Sequence, residues 1–78
     1  MNIDFEAYRI FCIVAECESF SKAAEKLYIS QPAITQTIKK LEENLKGRLF
    51  FRNPKGVKLT DEGMHLYQYI KTSVDIMN

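Results

Sequence analysis

The chain has 78 residues, 46% of them hydrophobic and 27% charged, with a formal net charge of +1. That is room for one domain with a modest core and little for an enclosed catalytic pocket besides. The apolar content excludes a disordered chain, and no run approaches the roughly 20 apolar residues of a membrane-spanning helix.

The opening Met1-Asn2-Ile3-Asp4-Phe5-Glu6 has neither a basic start nor an apolar run, so it does not read as a secretory leader. Cys12 and Cys17 fall on different faces of one helical stretch, which disfavours a disulfide or a shared metal. Both read as small apolar fillers in a reduced, cytoplasmic protein. The charge is unevenly placed. Residues 31–58 carry seven basic and two acidic side chains, while the segments on either side are each net −2. A basic middle between acidic flanks is the footprint of a phosphate-binding surface, or of a solvated face with clustered charge.

In chain order, the first periodic stretch runs from about Asp4 to Cys17. Phe5, Tyr8, Phe11, Cys12 and Ala15 recur at helical spacing, with a second apolar row of Ile3, Ala7, Ile10 and Val14 beside it. Two apolar rows call for cover on two sides, the second from a further helix or a partner chain. Glu18-Ser19-Phe20-Ser21 breaks the pattern, and Ser19 or Ser21 is suited to cap a short second helix, about Ser21 to Tyr28. Ala23 and Ala24 on its inner face mark a close helix crossing. After the tight Tyr28-Ile29-Ser30 connection, Ser30 caps a third helix with Pro32 in its first turn, predicted over Gln31 to Lys46. Ile34, Ile38, Leu41 and Leu45 form its single apolar stripe, and Gly47 suits a left-handed cap at its end.

Leu49-Phe50-Phe51-Arg52 and Val57-Lys58-Leu59 read as short strands joined by the turn Asn53-Pro54-Lys55-Gly56, a hairpin with a basic tip. Thr60 caps a last helix with Asp61 and Glu62 in its first turn, complementing the helix dipole. Gly63, Tyr67, Ile70, Val74 and Met77 follow four-three spacing along it. That row reads as a dimer seam, with core packing as the alternative.

Two helices joined by a three-residue turn, the second amphipathic, match the helix-turn-helix unit. The second helix must bury one stripe and leave the opposite face free for base edges, with short or flat residues at its start. Gln31, Pro32, Ala33, Thr35 and Gln36 meet that need: glutamine pairs with adenine, and threonine or alanine methyls meet thymine methyls. An ordinary solvated helix face is the other reading. Arg52 and Lys55 on the hairpin are placed for phosphates or a minor groove, Lys39, Lys40 and Lys58 for phosphates, and the helix start at Ser30 offers backbone N–H groups to another. The fold class is therefore mainly α: a winged helix-turn-helix with a three-helix core, a two-stranded wing and a C-terminal helix.

With those pieces in place, the sequence resembles the N-terminal domain of LysR-type transcriptional regulators. The likeness is carried by Ser19-Phe20-Ser21-Lys22-Ala23-Ala24-Glu25-Lys26-Leu27, by Ser30-Gln31-Pro32-Ala33-Ile34-Thr35, and by Ile38, Leu41-Glu42, Leu45, Leu49-Phe50, Arg52, Leu59-Thr60 and Gly63, in order and at family spacing. The resemblance implies a DNA-binding domain over residues 1–59 and a linker or dimerisation helix over residues 60–78. It implies a recognition helix from Gln31 in the major groove, with Ser30, Thr35 and Lys39 near phosphates and the wing at Arg52 and Lys55 near the minor groove. It further implies double-stranded promoter DNA as partner, dimers or tetramers, a nucleoid-associated bacterial protein, and a small-molecule effector bound only by a separate C-terminal domain. Two positions depart from the family pattern. Lys46 stands where glycine is usual, and Gln36 where arginine is frequent, which favours adenine over guanine.

Two rival classes remain at this level. A winged helix that binds protein would show weak salt dependence and no preference for duplex DNA. An enzyme would need partners for the lone His65, which has no metal-ligand spacing and no nucleophile beside it; there is no glycine-rich phosphate loop. No catalytic, cofactor or metal residue is expected in this chain.

Overall fold

The computed structural model describes the backbone of residues 5–77 and the side chains of residues 5–73. The elements run α1 (Phe5–Cys17), α2 (Phe20–Leu27), α3 (Gln31–Leu45), β1 (Phe50–Asn53), β2 (Gly56–Leu59) and α4 (Asp61–Met77). The expected winged helix-turn-helix is the observed architecture.

Capping residues set the helix starts. Ser19, not Ser21, caps α2, its Oγ accepting the Lys22 N–H at 3.1 Å. Ser30 caps α3, accepting the Ala33 N–H at 3.2 Å, with Pro32 in the first turn where no N–H partner is lost. Thr60 holds the start of α4: its hydroxyl donates to the Arg48 carbonyl and accepts the Gly63 N–H at 3.0 Å.

The helix ends differ from expectation. The left-handed residue closing α3 is Lys46, at φ 58, and not Gly47. The helix therefore stops one residue early, and the Gly47 N–H returns to the Glu42 carbonyl at 3.1 Å. Glu18 (φ 54) and Tyr28 (φ 58) follow α1 and α2 in the same region. Each of these three is a non-glycine residue in a conformation that crowds its Cβ.

The core gathers Ile10, Phe11 and Val14 of α1, Ala23 and Ala24 of α2, Ile34, Ile38 and Leu41 of α3, and Leu49, Phe50 and Val57 of the wing. Phe11 and Phe50 pack with ring centroids 5.4 Å apart, a separation at which tilted rings attract. The fully buried Ala23 lets α2 approach its neighbours closely. Both rows of α1 are largely covered, except that Phe5 is 72% exposed; Ile3 lies outside the described residues. The cover over α1 includes α4 of the same chain, whose Leu66, Tyr67 and Ile70 pack half-buried against the core. Leu45, expected at the end of the α3 stripe, is the last residue of the helix and is exposed instead.

β1 and β2 are antiparallel, with Phe50 opposite Leu59 and Asn53 opposite Gly56. The turn therefore narrows to Pro54 and Lys55, with the Asn53 side chain accepting the Lys55 N–H at 2.8 Å. Cys12 is buried, which pushes its thiol pKa up, the nearby Glu16 carboxylate adding to the rise.

Candidate nucleic-acid interface

Helical geometry turns successive α3 side chains by about 100°, so burying Ile34, Ile38 and Leu41 fixes what the rest of the helix can do. Those three are 0%, 3% and 6% exposed. Gln31, Pro32, Ala33, Thr35, Gln36, Lys39 and Lys40 are all exposed. Among the described residues, none covers the face on which base readout is expected. Ser30 is exposed too, its hydroxyl committed to the helix cap at the point where α3 offers free N–H groups.

The wing supplies the second edge of the site. Paired residues on a ribbon share a face, and Arg52, opposite Val57, lies on the face that carries the buried Phe50. Its guanidinium sits 5.1 Å from the centroid of the Phe20 ring, which supports it from below while leaving the residue exposed. Lys55 is exposed at the tip. Lys58, expected beside phosphates, is exposed, and its Nζ lies 2.7 Å from the Glu18 carboxylate.

Between α3 and the wing runs an open groove of about 550 Å³, with Thr35, Lys39, Arg52, Lys46 and Arg48 among its lining residues. Neither Lys46 nor Arg48 is among the DNA contacts expected from the sequence, although both belong to its basic middle third. What brings them to the groove is the short connection after α3. Glu42 shapes that connection: its carboxylate accepts the Leu49 N–H at 2.8 Å and lies 3.6 Å from the Arg48 guanidinium. The Phe20 platform was also unforeseen, since nothing local to Phe20 announces a residue more than thirty positions away.

The row expected as a dimer seam is divided. Gly63 is inside the domain, because a Cβ there would stand 2.2 Å from the Leu49 carbonyl oxygen. Tyr67 and Ile70 are half-buried on the core, and the Tyr67 hydroxyl donates to Glu16 at 2.8 Å, which pushes its pKa up to about 12. Lys71 reaches the same Glu16 oxygen at 3.5 Å. The side chains of Val74 and Met77 lie outside the described residues. Among the described residues of α4, the exposed apolar side chains are Met64 and Tyr69. Among the described residues, no group of three or more His, Cys, Asp or Glu side chains is placed to hold a metal ion, and no helix is long and apolar enough to cross a membrane.

A capped helix-turn-helix, a basic two-stranded wing and an uncovered polar helix face together define a winged helix-turn-helix protein. The family model for bacterial regulatory helix-turn-helix proteins of the lysR family matches residues 5–64. The chain belongs to that family, a family of transcriptional regulators rather than of enzymes. It is 50% identical over 64 residues to the HTH-type transcriptional activator AllS of Klebsiella pneumoniae, a match covering 82% of this chain and 24% of AllS. Among solved structures, it is similar to BenM_DBD in the catB site 1 DNA complex, with a TM-score of 0.84 and 41% identity over 96% of this chain and 87% of that one. It is likewise similar to the CbnR_DBD–DNA complex, with a TM-score of 0.87 and 29% identity over 96% of this chain and 86% of that one. The chain spans about a quarter of the length of the curated relatives it matches.

Proposed function

We propose that this domain binds double-stranded DNA sequence-specifically, as the DNA-binding part of a longer LysR-type transcriptional regulator. The observation that carries the reading is the division of α3: its aliphatic row is buried while Gln31, Pro32, Ala33, Thr35 and Gln36 stand free. Laid in a major groove, that face presents two amides able to pair with adenine and small apolar groups able to meet thymine methyls. Lys39 and Lys40 on α3, and the helix start at Ser30, then reach phosphates on either side, while Arg52 and Lys55 bring the wing toward the minor groove.

The remaining roles belong to the same proposal. Residues 1–59 form the reading head and residues 60–78 the linker. Two copies pair through α4, where Met64 and Tyr69 offer exposed apolar surface and Tyr67 and Ile70 keep part of theirs. No cofactor is needed by this part of the regulator, and a small-molecule effector acts through a C-terminal domain elsewhere in the longer protein. On this reading the regulator acts in the cytoplasm, at the nucleoid.

Selection of binding sites from a random duplex library, followed by gel-shift titration at several salt concentrations, tests this. The logarithm of the binding constant is expected to fall linearly with log salt, by about 0.9 for each phosphate neutralised. Gln36→Arg should move the preferred base from adenine toward guanine. Salt-independent binding, or equal affinity for all duplexes, would reject DNA readout and favour a protein-binding winged helix; an unchanged preference in Gln36→Arg would remove Gln36 from the bases.

A further inference from the structure

The turn between α1 and α2 grips the wing at three consecutive residues. Glu18 sits in the left-handed region at φ 54, and in that conformation its carbonyl accepts the Val57 N–H at 3.1 Å. Its carboxylate accepts from Lys58 Nζ at 2.7 Å. The third residue, Gly56, has φ 142, and a Cβ built on it would stand 2.3 Å from the Glu18 carbonyl oxygen. Only glycine lets the wing lie this close. Beyond these contacts Pro54 and Lys55 are exposed, above an open hollow of about 280 Å³ that Glu18, Lys55 and Lys58 help to line.

We infer that Glu18 is a positioning residue for the wing, aiming Lys55 at the DNA, and that Lys58 is its tether rather than a phosphate contact. The inference rests on the DNA-binding reading above. Both partners of the pair are about half exposed, at 51% and 53%, so the contact adds little to folding. What it supplies is direction: a two-stranded ribbon is a weak structure by itself and takes its angle from what it rests on. A lysine that keeps its carboxylate partner in both the free and the bound protein displaces no counterion from DNA, so it leaves no mark on the salt dependence.

The test compares Glu18→Ala, Lys58→Met and the double variant with the parent, using a DNA site selected with the parent. Each single change is expected to weaken binding two- to fivefold, and the double no more than the weaker single. Lys58→Met should keep the parent's salt slope, while Lys55→Ala flattens it by about one unit. Amide hydrogen exchange without DNA should show faster exchange at Lys55 and Val57 in both single variants. A salt slope flattened by Lys58→Met, losses that multiply in the double, tighter binding by Glu18→Ala, or unaltered wing exchange would each overturn the inference. A parent that selects no duplex would instead reject the DNA-binding reading, with the exchange result still deciding whether Glu18 holds the wing.

Discussion

The helices α3 and α4 begin with the same apolar spacing: Ile34, Ile38 and Leu41 advance by four and three, as do Gly63, Tyr67 and Ile70. On α3 all three are buried, and the opposite face carries only small or polar groups through Lys40. On α4 only Gly63 is buried; Tyr67 and Ile70 are half-covered, and Met64 and Tyr69 project at 46% and 71% exposure. A buried row fixes how a helix is held, and the side left in water decides what it can meet. A flat hydrogen-bonding side suits base edges, whereas an apolar one suits another protein surface.

The sharpest way to break that contrast is in the rows themselves. Ile34→Ala should destabilise the domain by about 2–5 kcal/mol, because Ile34 is fully enclosed. Ile70→Ala, at a half-buried position, should cost less than half as much; thermal melts giving equal losses would show that α4 is as deeply held as α3. On the outward sides, Gln31→Ala should lower DNA affinity by roughly 1–3 kcal/mol without moving the melting temperature. Met64→Gln should leave the melt unchanged as well, but weaken self-association in sedimentation over a concentration series. Smaller still is the end of α3: Lys46→Gly removes a Cβ from a left-handed position and should stabilise by about 0.5–1 kcal/mol, a rise of several degrees in Tm. The smallest effect is expected from Tyr67→Phe, about 0.5 kcal/mol for one largely solvated hydrogen bond. That contribution requires the hydroxyl proton, whose pKa rises from 10.0 to about 12 on folding. It is complete below pH 10 and is lost as pH climbs toward about 12, so the parent should give up its advantage over Tyr67→Phe across that range.

Most of the fold was legible because it rests on local signals. Ser30, Pro32 and the Ile34–Ile38–Leu41 row placed α3 to within a residue at its far end, and Asn53-Pro54-Lys55-Gly56 placed the hairpin turn. The miss at that far end has a physical reason. Glycine is the residue expected in a left-handed cap, but Lys46 occupies it, and Glu42 and Thr60 hold the Arg48–Leu49 segment that follows. In the site, the exposed face of α3 followed from periodicity. The partners of Arg52 and Lys58 did not, since Phe20 and Glu18 are distant in sequence and meet them only once the wing folds back. The α4 spacing marks a row, but spacing alone does not say which neighbour the row faces. A missing side chain at Gly63 settled that for its first member.

With no Cβ between Gly63 and the Leu49 carbonyl, the base of α4 is seated directly on backbone. Its 17 residues make a rod about 25 Å long rooted at that point. In a paired assembly such a rod behaves as a surveyor's arm: a tilt of about 10° at the root sweeps its far end through roughly 4 Å, by the same helical rise. The separation between two reading heads would then be dictated by the seat under one glycine, and a bulkier residue there would misjudge the distance between half-sites before it altered any contact with a base.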